Sequence, residues 1–438
     1  MTAPAAASPA PANQTSPKDM RKISTASAFG TGIELYDFLI FGLAAGLIFP
    51  KLFFPGSDPL MGTLQSFMAF GAGFLSRPLG GIVFGHFGDR VSRKTMLVIC
   101  LVATGTCTVL IGCLPTYGTV GALAPVLLVS LRILQGFFMG GEQSGAFIMV
   151  TEHAPRGRKA FFGAFVTAGS PIGTLLGIGV FQLTALFTGD AFATWGWRIP
   201  FIASAILIII GIYVRVGIDE SPSFKKISKA GAVAKLPLAG VIAHAWPFLI
   251  AGVLVNLGFN QFMFIINSFT TSYAVKQIGF SQTDTLISGL VGGLGMLIAV
   301  FVAGWAADRF GLIKVMMCGA LFQLVWAYPY FLLIDSGSVV GLYLAVVVGY
   351  IGLSFVFGPM AAFYVSLFDP AHRYSGVAVS YNLGAVLGGG LSPSIAQALL
   401  ASGAGSAGIS AYVALGGVLS AIGLFIGMKQ VQRAKAAW

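Results

Sequence analysis

The segment GHFGDRVSRK (residues 85–94) returns in altered form as GWAADRFGLIK (residues 304–314), and both copies contain the pattern G-x-x-x-D-R. A second pair of short segments, residues 155–158 and 370–373, shares the pattern P-x-x-R. One such segment alone is typical of a basic turn that follows a helix. Two matched pairs in the same order predict that the chain consists of two similar halves.

The composition predicts a membrane protein. Of the 438 residues, 56% are hydrophobic and 9% are charged, whereas about 25% of the residues of a soluble domain are charged. The apolar runs are each about 20 residues long, which is the length that a helix needs to cross a bilayer. We predict an all-α membrane protein with twelve transmembrane helices, at residues 23–49, 60–84, 95–114, 121–149, 161–187, 197–217, 243–274, 283–305, 314–334, 338–365, 377–401 and 407–428.

The basic residues predict the orientation of these spans. Of the 25 Lys and Arg residues, two (Arg77 and Arg132) lie in the interior of spans, three (Lys51, Arg198 and Lys276) lie in loops or at a span end on one side, and the other 20 lie in loops, tails or span ends on the other side. Basic residues accumulate in cytoplasmic loops, so we expect a multi-pass protein of the cytoplasmic (inner) membrane with both termini inside. Because the charge is dispersed over short turns, we expect no nucleic-acid partner.

The longest loop between spans divides the chain into two six-helix bundles. We predict a disordered cytoplasmic tail at 1–20, an N-terminal bundle at 21–218, a cytoplasmic linker at 219–242, a C-terminal bundle at 243–428 and a second tail at 429–438. Two halves in parallel repeat place a binding site between them near the middle of the membrane, as in transporters that work by alternating access.

Only three of the fourteen acidic residues, Glu34, Asp37 and Glu142, lie within the predicted spans away from a span's first residues, where Asp284 stands. Ionisable groups at membrane depth are costly and therefore candidate functional groups. Glu34 and Asp37 share one face of their helix, and two carboxylates in a poorly hydrated site favour the protonated form of at least one of them. We predict that these acids couple transport to protons. Alternatively, Glu34 caps a helix or pairs near a helix end, Asp37 forms a hydrogen bond to a neighbouring helix and Glu142 pairs at the periphery.

Arg132 lies in the fourth span and needs an anion. Glu142, ten residues further on, is about 15 Å away along the helix, so it cannot be the direct partner of Arg132. The guanidinium group matches a carboxylate geometrically, and that carboxylate belongs either to the substrate or to Asp37 in a permanent ion pair. In the seventh span, Asn256 and Asn260 stand on one helix face. Their amides either line the cavity, where they suit hydroxyl-rich substrates, or hold helices together.

The two G-x-x-x-D-R loops place charged residues at the predicted cytoplasmic edge. We predict that Asp89, Arg90 and Arg93 in the first copy, and Asp308 and Arg309 in the second, form latches that close the two bundles on this side. The alternative is that the arginines only anchor the helix ends by extending towards water.

Several classes of function are unsupported by the sequence. The four cysteines lack the spacing of a metal site, none of the four histidines lies in the middle of a span, and there is no phosphate-binding loop for ATP. We find no nucleophile and base that form a catalytic set. We therefore expect a transporter and not an enzyme, with no metal, and with no cofactor other than protons as the coupling ion.

The repeated loops resemble the signature of the major facilitator superfamily, and other stretches resemble its metabolite:proton symporter family. The stretches that carry this resemblance extend over nearly the whole chain: ELYDF (34–38), FFPGSDP (53–59), RPLGG (77–81), LRILQGFFMGGE (131–142), WGWRIPF (195–201), ADRFG (307–311), RYSG (373–376) and GGGLSP (388–393). The fold that the resemblance implies surrounds its cavity with helices one, four, seven and ten. The substrate-binding residues would then be Tyr36, Arg132, Gln135, Asn256 and Asn260, next to Asp37.

Some motifs, such as YDFLIFG (36–42), are most similar to family members that transport shikimate. This similarity implies a proton-coupled symporter that imports a small organic anion, shikimate or a related hydroxylated monocarboxylate, by alternating access. Alternative substrates are a dicarboxylate or tricarboxylate, or a zwitterionic osmolyte such as proline or betaine. A channel or a substrate-sensing receptor stays open until uphill uptake is measured. We expect a monomer in the lipid bilayer.

Overall fold

The computed structural model describes residues 17–56, 58–90, 93–140, 142–216, 245–369 and 373–436. Within these ranges it does not describe the side chains of residues 17–19, 85–90, 93–97, 142, 214–216, 374 and 435–436. The described backbone is helical and contains no β-strand. The predicted all-α class is therefore confirmed for this part of the chain.

The first half of the chain contains helices α1 to α10 and one short 3₁₀ turn at Gly189–Ala193. Their bounds are Pro17–Leu47 (α1), Phe49–Phe53 (α2), Pro59–Leu75 (α3), Arg77–Arg90 (α4), Arg93–Gly112 (α5), Tyr117–Val120 (α6), Leu123–Met139 (α7), Glu142–His153 (α8), Lys159–Thr188 (α9) and Arg198–Val216 (α10).

The second half contains helices α11 to α19 and three π-helical segments, at Ile265–Phe269, Ala274–Ile278 and Val386–Gly390. The helices are Trp246–Phe264 (α11), Thr270–Tyr273 (α12), Gln282–Phe310 (α13), Leu312–Asp335 (α14), Val339–Phe357 (α15), Met360–Leu367 (α16), Arg373–Ala385 (α17), Ser392–Ala401 (α18) and Gly405–Ala436 (α19).

Ten helical stretches in the described part are long and apolar enough to cross a membrane. Two shorter apolar helices, Val98–Gly112 and Arg198–Tyr213, coincide with the predicted third and sixth spans. The protein is thus multi-pass, while the count of twelve crossings stays a prediction. Helix α1 begins inside the predicted N-terminal tail, the predicted linker 219–242 lies outside the described residues, and α19 continues past residue 428.

Helix pairing follows a repeated scheme. In the first half α1 packs along α9, α3 along α7 and α5 along α10. In the second half the corresponding pairs are α11 with α17, α13 with α15 and α14 with α19. This is the arrangement that two copies of one helical unit produce. Between the halves, α9 packs along α13, and α3 packs against α18 and the π-helical segment before it.

Helix α1 occupies a central position, and 89% of its most apolar stretch of 18 residues is buried in the protein. Glycines on α9 allow the close approach of the two helices. A methyl group at Gly169 would lie 2.5 Å from the carbonyl oxygen of Ala28, and one at Gly173 would lie 2.8 Å from Leu35 Cβ. Small residues of this kind permit tight helix packing in membranes. The side chains of α1 therefore face other helices and not lipid.

The two halves meet at both ends of the molecule. We call the end that carries the α8–α9 turn, the α16–α17 turn and the C-terminus of α19 the terminal face, and the other end the opposite face. At the opposite face, Ser272 Oγ donates a hydrogen bond to the Gly46 carbonyl at 3.1 Å. Near the centre, the rings of Phe74 and Phe264 pack at 5.3 Å. Contacts described below join the halves at the terminal face, so the described parts of the two halves touch at both ends.

Candidate substrate and proton site

Asp37 lies in the interior of the first half with only 1% of its surface exposed. Its Oδ1 accepts a hydrogen bond from Ser204 Oγ of α10 at 2.8 Å, and the Thr108 hydroxyl of α5 also interacts with the carboxylate. In the part of the chain that is described, no Lys or Arg nitrogen lies within 4.0 Å of this carboxylate. Asp37 therefore bonds to a neighbouring helix, which corresponds to the alternative expectation for this acid, and its role in proton coupling stays a prediction.

Glu34, one turn before Asp37, forms an ion pair with Arg77 at the start of α4. Arg77 Nη2 lies 2.8 Å from Glu34 Oε1, and both side chains are 7% exposed. Arg77 Nη2 also contacts the Met139 sulfur at 3.8 Å. A buried ion pair loses several kcal/mol when one partner is removed. This geometry corresponds to the alternative expectation for Glu34, a paired acid, and places the pair in the interior.

Arg132 is fully buried, with no exposed surface. Its Nη1 donates to Gln135 Oε1 at 2.5 Å, and its Nε donates to the Phe70 carbonyl at 3.4 Å. Its Nη2 has no hydrogen-bond partner among the described residues, and in the same part of the chain no carboxylate oxygen lies within 4.0 Å of the guanidinium. Arg132 is thus a buried cation whose charge is not balanced by a direct ion pair there.

Phenylalanine rings surround the Arg132 guanidinium. Its central carbon lies 3.9 Å from the ring centroid of Phe38, 4.4 Å from that of Phe41 and 5.0 Å from that of Phe70. The Arg77 guanidinium lies 4.3 Å from the same Phe38 ring. One aromatic ring therefore contacts two arginines, of which Arg77 has a carboxylate partner. Cation–π contacts of this kind partly replace the hydration that a buried cation loses.

A series of polar contacts leads from Arg132 towards Asp37. Gln135 accepts from Arg132 through Oε1, and its Nε2 donates to Thr108 Oγ1 at 2.7 Å. The Thr108 hydroxyl donates to the Thr104 carbonyl at 3.2 Å and lies near the Asp37 carboxylate, which accepts from Ser204. One glutamine and one hydroxyl group therefore lie between the two charged groups.

Three predicted substrate-binding residues make contacts inside one half. The Tyr36 hydroxyl donates to the Pro200 carbonyl at 2.6 Å. Asn256 Nδ2 donates to the Tyr381 carbonyl of α17 at 2.7 Å, and Asn260 Nδ2 donates to Asn256 Oδ1 at 2.7 Å. All three are buried. The Asn256 bond corresponds to the alternative expectation, in which an amide holds helices together, whereas the Asn260 amide bonds within its own helix α11.

The predicted gate residue Asp308 joins the two halves at the terminal face. Its carboxylate accepts hydrogen bonds from the backbone N–H groups of Ala160 at 3.0 Å and Phe161 at 2.9 Å. These are the second and third residues of α9, so an acid of the second half caps a helix of the first half. Nearby, Arg373 forms a 2.8 Å ion pair with Glu152. Both contacts bridge the halves.

The other predicted gate residues are placed differently or lie outside the description. The Arg309 guanidinium lies 5.6 Å from the Trp305 ring on its own helix, as a side chain that extends along the helix surface does. The side chains of Asp89, Arg90 and Arg93, and that of the predicted proton-coupling residue Glu142, lie outside the described residues. Among the described residues, no cluster of His, Cys, Asp and Glu could hold a metal ion.

The site also contains residues that the sequence analysis does not select. The sequence marks Arg77 as unusual, because it is one of two basic residues in the interior of a predicted span, but its partner cannot be inferred from spacing. The sequence does not mark Thr108, Ser204 or Phe38, since hydroxyl and phenyl groups are common in membrane helices. Only the packing of α1 against its neighbours reveals them.

Comparison with known proteins defines the class. A sequence model of the Major Facilitator Superfamily matches residues 27–393. The chain belongs to this superfamily, and it is therefore a transporter and not an enzyme, as the sequence predicts.

Two relatives from Escherichia coli (strain K12) are each 38% identical to the chain. The inner membrane metabolite transport protein YhjE matches over 92% of the chain and 93% of its own length, and the shikimate transporter matches over 94% and 95%. The proline/betaine transporter of the same organism is 34% identical over 87% of the chain and 78% of its own length. The names of the last two relatives give different substrates.

Solved structures agree with this fold. The crystal structure of a D-xylose-proton symporter matches 94% of the chain and 97% of its own length with a TM-score of 0.70. The sequence identity is 17%, so the match concerns the fold alone.

Proposed function

We propose that the protein is a proton-coupled symporter of the inner membrane that imports a small organic anion by alternating access. The substrate class is a hydroxylated monocarboxylate such as shikimate. In this proposal the terminal face is cytoplasmic, the protein acts as a monomer, and protons are its only cofactor. The contacts of Asp308 and of the Glu152–Arg373 pair then form the cytoplasmic gate.

The observation that carries the proposal is the buried, unpaired state of Arg132. Its Nη2 atom lacks a hydrogen-bond partner among the described residues, although its other nitrogens are held by Gln135 and Phe70. A buried charge without a partner costs several kcal/mol. An arriving carboxylate would supply both the missing hydrogen bond and the missing negative charge.

The charge balance of the cluster supports coupling to a proton. With Asp37 ionised, the charges of Arg77 and Arg132 are balanced by those of Glu34 and Asp37, and these four groups sum to zero. A bound monocarboxylate adds one negative charge, and a proton on Asp37 restores neutrality. Because net charge is expensive in a poorly hydrated interior, the substrate and the proton favour each other's binding. The Gln135–Thr108 link provides the physical connection.

The decisive experiment is uptake of shikimate into proteoliposomes by Arg132→Gln and Arg132→Lys variants under an inward pH gradient. Removal of one partner from a buried charge pair costs about 2–5 kcal/mol, so we expect Arg132→Gln to reduce substrate affinity by roughly 30-fold or more. Arg132→Lys keeps the charge but lacks the two-pronged geometry, and we expect intermediate affinity. Unchanged uptake by a well-folded Arg132→Gln protein would refute the assignment.

A zwitterionic osmolyte is the second candidate substrate, because a proline/betaine transporter is 34% identical to the chain. Its carboxylate can bind Arg132, but its positive charge leaves no net charge for a proton to balance. A thermal-shift screen of the purified protein against shikimate, succinate, proline and betaine separates the candidates, since a ligand of the folded state raises its stability.

A further inference from the structure

A cavity of about 560 Å³ lies between the two halves at the opposite face. We call it the vestibule and define it by the polar residues that both halves contribute: Lys51 and Thr63 from the first, and Ser272, Tyr273, Lys276, Gln277 and Gln397 from the second. Lys276 Nζ donates a hydrogen bond to Thr63 Oγ1 at 3.0 Å, which leaves other donors of this ammonium group available.

The vestibule concentrates positive charge on a face that is otherwise poor in it. Of the three basic residues that the sequence places on this side, two, Lys51 and Lys276, line this one cavity. They lie close enough for their charges to repel each other. None of the described residues that line the cavity is acidic. Two cations that share a concave site without a counter-charge raise the local concentration of small anions.

Neighbouring acids are engaged elsewhere. The carboxylate of Asp58 caps α3, where its Oδ2 accepts the N–H of Leu60 at 3.1 Å. Asp335 accepts a hydrogen bond from the Tyr273 hydroxyl at 2.7 Å. Neither acid lines the vestibule, so the two lysines do not have their charge satisfied from within the cavity.

A narrow contact separates the vestibule from Arg132. Phe41, which touches the Arg132 guanidinium, lies on α1, and Pro50, which lines the vestibule, lies on the next helix, α2. Between them, a methyl group at Gly46 would lie 3.1 Å from Ser272 Cβ. The segment that connects the two positions therefore packs closely against the second half.

We propose that the vestibule is a second, shallow binding site for small organic anions, in which Lys51 and Lys276 hold the anion before it reaches Arg132. The class of ligand follows from the proposed function, on which this inference rests. The site exists only while the halves are closed at this face, because each half contributes one lysine.

Cysteine labelling tests the charge of the vestibule without knowledge of the substrate. In a protein whose exposed Cys113 and Cys318 are replaced by serine, Gln277→Cys is labelled with anionic sulfonatoethyl or cationic trimethylammonium methanethiosulfonate. We expect a higher anionic-to-cationic rate ratio than at Thr119→Cys, an exposed position outside the vestibule. Lys51→Gln and Lys276→Gln should each lower the ratio about fivefold at low salt.

Ligand protection tests whether the vestibule is a site. In the Gln277→Cys protein that also carries Arg132→Gln, we expect shikimate and succinate to slow labelling and proline to have no effect. The protection should disappear with Lys51→Gln plus Lys276→Gln but persist with Lys314→Gln, which removes a charge at the terminal face. A rate ratio equal to that at Thr119→Cys, or no protection by either anion, or equal protection by proline, overturns the proposal. Because this experiment measures labelling and not transport, its result can be interpreted even if the protein does not take up shikimate.

Discussion

At the scale of single residues, Phe38 links the two arginines of the site. Its ring lies 4.3 Å from the Arg77 guanidinium and 3.9 Å from that of Arg132, yet only Arg77 has an ion-pair partner among the described residues. In the proposed function the paired arginine is a fixed part of the structure, whereas the unpaired one binds the substrate. Two chemically identical side chains thus differ in the acid that each one reaches.

Replacement of Glu34 by Gln should destabilise the protein strongly, because it leaves Arg77 buried without its anion. We expect a loss of about 3–5 kcal/mol in the free energy of unfolding, measured by denaturation in detergent. The double variant Glu34→Gln plus Arg77→Met should recover much of this loss, since it removes both charges. If the single and double variants were equally unstable, the ion pair would not be the cause.

Replacement of Asp37 by Asn should abolish uphill accumulation driven by a pH gradient while substrate exchange continues. The amide can still accept the hydrogen bond of Ser204, but it cannot take up a proton. Uptake and counterflow in proteoliposomes measure the two activities separately. Ser204→Ala is the matched control, because it removes the hydrogen bond and keeps the acid. Accumulation by Asp37→Asn that still follows the pH gradient would contradict the role of Asp37.

The sequence predicts part of this site for a clear physical reason. Charges inside apolar spans are rare, so Glu34, Asp37 and Arg132 can be selected from composition alone, and all three are buried in the interior. The partners of these charges cannot be selected in this way, because they come from helices that are distant in sequence. Tyr36 illustrates the limit, since its hydroxyl bonds to the Pro200 carbonyl and no pattern in α1 indicates this direction.

At the scale of helices, the second half departs from regular α-helix where it meets the first. Two π-helical segments flank α12, and a third, Val386–Gly390, precedes α18. Glycine and proline in residues 383–393 predict bending there, in agreement with the third segment. The segments around α12 are not predicted, because Ile265–Phe269 and Ala274–Ile278 contain no glycine or proline. π-Helical turns often occur at functional sites.

Replacement of Gly42 by Ala should impair closure at the opposite face. The added methyl group would overlap the Ser268 hydroxyl oxygen of the facing π-helical segment, and overpacking typically costs about 1–3 kcal/mol. We expect slower uptake, with partial recovery in Gly42→Ala plus Ser268→Ala, which removes the clashing oxygen. Gly179→Ala in α9 is the matched control, because its methyl group would meet no atom within 4 Å. An equal defect in both glycine variants would contradict this mechanism.

At the scale of the whole molecule, the halves touch at the terminal face, in the centre and at the opposite face. The repeat of the G-x-x-x-D-R loop predicts two similar halves, and the pairing of helices follows that repeat. The sequence cannot predict which conformation the two halves adopt, because the contacts that join the halves involve groups that no sequence pattern marks. Asp308 is an example, since its partners are backbone N–H groups of α9, which any sequence provides.

Replacement of Asp308 by Ala should favour opening at the terminal face. Loss of a helix cap costs about 0.5–2 kcal/mol, which corresponds to a roughly two- to thirtyfold change in the population of the open state. We expect faster thiol labelling of Ala164→Cys, a fully buried position that packs against Gly304 of the second half. Asp284→Ala, which alters a half-buried acid of the same helix α13 at the opposite face, should leave the rate unchanged. Equal rates in the two variants would contradict a latch at Asp308.

The two contacts that hold the terminal face together differ in their sensitivity to ionic strength. The Glu152–Arg373 pair has side chains that are 40% and 17% exposed, so dissolved ions screen it. The amide groups that bind Asp308 belong to the backbone and lie at a partly buried helix end, where ions compete poorly. A higher salt concentration would therefore weaken the Glu152–Arg373 pair and leave the Asp308 cap intact. The halves would stay joined at the terminal face at ionic strengths that disrupt the surface ion pair.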